Sequence, residues 1–167
     1  SFPGGGFPDH LRYLYRLDYG PQDGIVENLP PVTGNPYPAL VSNVDQDGND
    51  VAGIRLPDVS VPLASVPGWN LRHPDTGGPG QTHKTMGSTL PFAFTKQERQ
   101  GTSDPRPSIE ERYASRQDYL DRVETAAQDL ASERYMLEED VPGVSEMAGE
   151  RYDLLESRVK EAQPAGD

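Results

Sequence analysis

The sequence predicts an α+β chain, with short strands and a β-hairpin among long loops, followed by two or three capped α-helices. Three observations carry this. Residues 1–107 hold 15 of the 17 Pro and 14 of the 17 Gly, and such a density of backbone breakers leaves room only for short extended elements. Residues 108–167 carry 16 acids against 7 bases, which is most of the chain's net charge of −12. Within residues 95–118 a Ser or Thr three times stands three residues ahead of a carboxylate, the pattern of a helix capping box. The expected organisation is therefore a loop-rich segment over 1–107, with a hairpin at 39–56 and a strand at 58–66, and an acidic helical segment over 108–167.

In chain order, "RYLYRLDYGP" reads as a short strand or an extended aromatic run, and "PYPALVSNV" as a strand that follows prolines, which suits an edge position. "ALVSNV" and "VAGIRL" flank Asp47-Gly48, a dipeptide that supplies the positive φ angles of a hairpin turn. "DVSVPLASV" alternates Val59, Val61 and Leu63 with polar residues and Pro62, the period of a half-buried strand. In "TKQERQG", Thr95 and Glu98 form the first box, and Gly101 is the expected stop. Ser108 with Glu111 and Ser115 with Asp118 form the next two. Tyr119, Leu120, Val123, Ala126, Ala127 and Leu130 then recur at helical spacing. Pro142 and Gly143 interrupt the pattern, and Val144, Met147, Leu154, Leu155 and Val159 line one side of a last helix. Asp118 with Arg122 and Glu156 with Lys160 are i,i+4 ion pairs.

Composition excludes several functions. Hydrophobic residues make up only 34% of the 167 residues and the mean hydropathy is −0.73, so the chain buries a modest core and much of its apolar surface is expected to pack on something else. Fifteen dispersed bases under a net charge of −12 do not suit nucleic acid, whose phosphates need clustered Lys and Arg. No apolar run reaches the about 20 residues that span a bilayer. "SFPGGGFPDH" has neither the basic nor the apolar region of a signal peptide. The first residue is not Met, which fits a cleavage product. With no Cys, thiol chemistry and disulfides are excluded, and the compartment stays open.

Candidate sites are sparse. Asp45, Asp47 and Asn49 have the spacing of a calcium-loop start, but a calcium loop places Gly sixth and Glu twelfth, where this sequence has Asp50 and Leu56. The stretch is read as a turn. His73 and His83 lie in the glycine-rich loop "RHPDTGGPGQTHKT", which lacks the rigid support a metal site needs; neither a metal nor a cofactor is expected. G-x-S-x-G is absent, Ser88 has no strand-to-helix elbow, and "PGGGF" lacks the preceding His of an oxyanion loop, so no catalytic residue is assigned. "PGWNLR" holds the only Trp. A single Trp serves packing or a ligand, and beside Asn70 and Arg72 the ring of Trp69 offers apolar area next to directional donors. Trp69, Asn70 and Arg72 are the candidate substrate-binding residues.

"RLDYGPQDGIV", "PYPALVSNVDQDGNDVAGIRLPDVSVPLASVPGWNLR", "GSTLPFAFTKQERQGTSDPRPSIEERYASRQDYLDRV" and "LEEDV" occur in that order. Together they resemble the C-terminal portion of a family of large bacterial α/β-hydrolase-domain proteins of the serine-hydrolase type, over about residues 16–141. The resemblance implies a core whose nucleophile Ser, acid and His all precede this region, so none of them falls on a residue here. It implies a non-catalytic segment or processed subunit, part of or packed on an α/β-hydrolase core. Such a segment would scaffold the catalytic domain and shape the entrance for a small-molecule or polymeric ester substrate. The expected partner is a larger polypeptide carrying the core with its nucleophile elbow. The alternative is an independent acidic binding module without enzymatic activity.

Overall fold

The computed structural model describes residues 14–38, 40, 42–78, 81–83 and 85–162. The "PGGGF" segment and His10 lie outside them. β1 (Tyr15–Asp18) pairs antiparallel with β2 (Val32–Pro36), with Leu17 opposite Thr33 and a register shift between Tyr15 and Leu17. This ribbon takes up the described part of the first expected strand. Among the described residues the other ladders are also antiparallel and two-stranded: β3 (Ala64–Ser65) with β6 (Leu90–Pro91), and β4 (Asn70–Leu71) with β5 (Thr82–His83).

Two expectations for the first segment are corrected. The hairpin over 39–56 reduces to its turn, closed by an isolated bridge between Val44 and Asp50, and of the Asp47-Gly48 pair only Gly48 takes a positive φ, 81°. Residues 39 and 41 are outside the description. Inside that bridge Asp45 Oδ1 accepts the backbone N–H groups of Asp47 (2.9 Å) and Asn49 (3.0 Å), a local capture that shapes the turn. Val51, Ile54 and Leu56 are exposed, so nothing buries the alternating face. The strand over 58–66 is instead a single helical turn, α1 (Pro57–Ser60), followed by the two residues of β3. Proline in the first turn with Asp58 beside it is a helix-start signal that outweighs the alternation of Val59, Val61 and Leu63.

The helices follow their caps. In α2 (Lys96–Thr102) the Thr95 hydroxyl accepts from Glu98 N at 3.1 Å. The helix runs past Gly101 and stops at Ser103, which is left-handed at φ 56°. α3 (Ile109–Arg112) opens on the complete Ser108–Glu111 box. Here the Ser108 N–H donates to Glu111 Oε2 (3.0 Å) and the Ser108 hydroxyl does so too (2.8 Å). These bonds, with the Arg99 guanidinium beside them, hold the Glu111 carboxyl down at about 2. α4 (Arg116–Ser132) starts at Ser115, whose Oγ accepts from Asp118 N, while Asp118 Oδ2 accepts from Ala114 N. Pro142 and Gly143 do not interrupt α5 (Val141–Ala162) but form its first turn, where proline's missing N–H costs nothing.

One core serves both sequence segments. Leu63 and Phe92 from the loop-rich part meet Ile109, Tyr113, Tyr119, Val123, Ala148 and Tyr152 from the helical part. The Tyr119 ring packs edge-on to Tyr113 (5.0 Å) and stacks on Tyr152 (5.6 Å). The Tyr113 hydroxyl donates to Pro62 O at 2.9 Å, and burial pushes that phenol up to about 12. α4 and α5 pack together and are clipped by Arg116, which donates to Asp153 at 2.6 and 2.9 Å. The Arg116 guanidinium lies close over Gly149, where a Cβ would meet its Nη2 at 2.8 Å. Arg151 reaches from α5 to Asp58 on α1.

Candidate functional site

The turn that resembles a calcium loop is a structural clip in which the side chains of Asp45, Asp47 and Asn49 are all engaged. Asp45 Oδ2 pairs with Arg55 at 2.6 Å, and the Asp47 carboxylate takes both terminal nitrogens of Arg112. Asn49 is fully buried; its Nδ2 donates to Ala64 O (3.2 Å) and its Oδ1 accepts from Val66 N (2.7 Å). Ser65, also fully buried, donates to Asp47 O and accepts from Arg106 Nη1 at 2.8 Å. Arg106 in turn chelates Asp104 and donates to Leu90 O at 3.0 Å. The guanidiniums of Arg112 and Arg106 lie over the Phe92 ring at 4.1 and 5.0 Å. Burial alone would raise the Asp104 carboxyl, but the Arg106 hydrogen bonds and charge outweigh it and hold the group below its usual range. This network runs unbroken from Asp45 to Arg112 and locks the turn, β3, β6 and α3 together. No group of three or more His, Cys, Asp and Glu that could hold a metal occurs among the described residues.

The substrate-binding candidates lie on a separate small hairpin. Asn70 pairs with His83 and Leu71 with Thr82. Trp69 is half-buried, and its carbonyl accepts from Ser88 Oγ at 2.8 Å. Arg72 does not converge on Trp69: its Nη2 donates to Thr76 O (3.2 Å), closing the turn that follows. The hairpin thus groups Trp69 and Asn70 with His83 and turns Arg72 into a brace for its own loop.

The described histidines keep to local partners. His73 Nδ1 lies 3.4 Å from Asp75 Oδ2 with both side chains exposed, and His83 Nδ1 lies 3.3 Å from Thr85 Oγ1. Ser88, the serine nearest them in sequence, spends its hydroxyl proton on the Trp69 carbonyl. Among the described residues no serine is hydrogen-bonded to a histidine, the contact a nucleophile and its base require.

Sequence reading missed a groove of about 680 Å³ between α2 and the C-terminal turns of α5. Phe92, Ala93 and Phe94 form its floor, Leu155 and Val159 one wall, and Thr95, Gln97 and Glu98 the other, with Arg158 at the rim. The capping box at Thr95 could have marked the first wall. The second wall comes from 60 residues further along and had no local signal.

A family model described as an alpha/beta hydrolase domain matches residues 21–146, well over half of the chain. No curated protein and no solved structure matches it. The matched span contains the clip, the Trp69 hairpin and α1 to α4, and it ends inside α5. No helix among the described residues is long and apolar enough to cross a membrane.

Proposed function

The chain belongs to the alpha/beta hydrolase domain family, and from this premise we propose that it is a non-catalytic segment of an esterase-like serine hydrolase. In this reading it packs on a larger polypeptide that carries the nucleophile elbow and cleaves a small-molecule or polymeric ester by Ser-His-acid chemistry. The absence of G-x-S-x-G from the sequence supports assigning the catalytic residues elsewhere. The Trp69–Asn70 hairpin, with Arg72 bracing it, is the part proposed to border the substrate entrance.

The observation that carries the reading is the β1–β2 ribbon. Every residue of both strands is exposed. Leu14, Tyr15, Leu17, Tyr19, Val32 and Tyr37 are among the exposed large apolar side chains. A two-stranded ribbon is marginal by itself in water, and an apolar one with open edges invites a further strand or a covering layer. A catalytic body would supply both.

The test is an intact-mass measurement on the native particle together with a p-nitrophenyl ester assay. The expected result is a complex of this chain with an elbow-bearing polypeptide that hydrolyses the ester, while the chain alone is inactive. A homogeneous, stable monomer of 18.3 kDa without such a companion would sink the proposal. The completed core around Tyr119 and Val123 favours a second reading, an autonomous acidic binding module. That reading requires cooperative unfolding of the isolated chain and a ligand that quenches Trp69.

A further inference from the structure

The geometry points to a binding site for a small monocarboxylate with an apolar body in the groove between α2 and the end of α5. Its volume of about 680 Å³ lies in the range of small-molecule sites. The floor is held rigid: Phe92 is buried beneath the two guanidiniums, and Phe94 packs edge-on against Tyr152 at 5.4 Å and 73°. Leu155 and Val159 are half-buried and present aliphatic surface opposite α2. An aliphatic or aryl body fits such walls without leaving a polar group unpaired.

Charge selects the other end of the ligand. Four ionic groups line the groove: Glu98, Asp104, Arg106 and Arg158. Glu98 Oε2 accepts the Phe94 N–H at 2.8 Å, at the N-terminus of α2. Asp104 and Arg106 neutralise each other, and the remaining donors of Arg106 go to Ser65, Leu90 and Pro91. Arg158 alone has no hydrogen-bond or ion-pair partner among the described residues. A guanidinium fork matches a carboxylate in two-pronged fashion. A single fork, with the Glu98 and Asp104 carboxylates in the same lining, disfavours a doubly charged phosphate. The Gln97 amide at the rim is a further donor.

The site stands on its own lining. Under the hydrolase reading above, on which only this clause rests, the ligand class is the acid that ester cleavage releases. The experiment titrates the full 167-residue chain with octanoate, and with octanol as the neutral match, following the methyl resonances of Leu155 and Val159 by NMR. Saturable shifts are expected with octanoate, and binding of octanol should be weaker by about tenfold, the worth of one charge-assisted hydrogen bond. Arg158→Gln should weaken octanoate by about the same factor and leave octanol unchanged, since the side chain is exposed and its loss removes a donor rather than a packing group. Arg158→Lys keeps the charge without the fork and should recover part of the affinity. Absence of saturable shifts, equal binding of octanol and octanoate, or an unchanged affinity in Arg158→Gln would each overturn the proposal. A catalytic complex that failed to cleave esters would sink the hydrolase reading and leave this titration standing; a failed titration would do the reverse.

Discussion

The β1–β2 ribbon and the clip-and-helix body contain similar apolar residues with opposite fates. In the ribbon and the strand ends around it, Leu14 is 78% exposed and Leu17 50%, whereas Ile109 and Val123 in the body are 0% and 1% exposed. The body even buries charge, with Arg106 and Asp104 at 5% and 6% side-chain exposure, because each of the two has the other as its partner. Apolar content therefore does not decide what is buried. A facing surface does, and the body finds its own while the ribbon, among the described residues, does not.

The comparison breaks hardest at the body's buried ion pair. Arg106→Ala leaves the Asp104 carboxylate enclosed without its counter-charge and strips Ser65 and Leu90 O of a donor. Removing one partner of a buried pair costs about 3–5 kcal/mol, to be read as a lower urea midpoint at unchanged slope. Replacing Arg106 and Asp104 together by apolar residues of similar volume should cost less than Arg106→Ala, because no orphan charge remains. Next in size is Asn49→Ala, which orphans the Val66 N–H and the Ala64 carbonyl and should cost about 2 kcal/mol by the same denaturant measurement.

Acid should act on the body as well. Glu111 is held at about 2, against an ordinary 4.5, first by the Ser108 backbone N–H and then by the Ser108 hydroxyl and Arg99. Asp118 is lowered by Arg122 and the Ala114 N–H, and Asp153 by Arg116. A carboxyl with a depressed folded pKa contributes stability that is complete above its unfolded pKa and is lost as pH falls through the folded one. For Glu111 that window runs from about 4.5 down to about 2. Stability measured across it should fall with pH, and Glu111→Gln should flatten the slope while lowering the plateau at neutral pH.

How much of this was legible in the sequence follows from range. The three boxes at Thr95, Ser108 and Ser115 act over three residues, so their letters sufficed, and the Asp118–Arg122 and Glu156–Lys160 pairs form as spaced. The Asp-Gly turn was legible for the same reason. The burial of Asn49 was not, because its partners lie 15 and 17 residues on. Nor was the role of Arg106, whose charge argues for the surface until Asp104, Ser65 and Leu90 surround it. The strand over 58–66 failed where a period-two pattern met a proline-started helical turn. For the candidate site, Trp69 and Asn70 fall on one hairpin as their adjacency implies, while Arg72 turns to Thr76 through a loop bond that no spacing foretells.

The smallest effect on the isolated chain is expected at the ribbon, and it sharpens the comparison most. Leu17 sits on β1 opposite Thr33, half exposed, in a strand whose every residue is open. Leu17→Lys removes apolar area that the chain itself does not cover and places on the strand the charge with which proteins keep sheet edges from pairing. On the isolated chain the change should stay below about 0.5 kcal/mol, as for surface positions generally. Copurification with the elbow-bearing polypeptide should nevertheless be lost, since that partner is what the ribbon would face. A loss of stability comparable to Asn49→Ala would place the ribbon within the body's own cooperative unit. Unchanged copurification would move the docking surface off β1. Only the combination of an indifferent chain and a broken complex fits a ribbon whose missing layer belongs to another polypeptide.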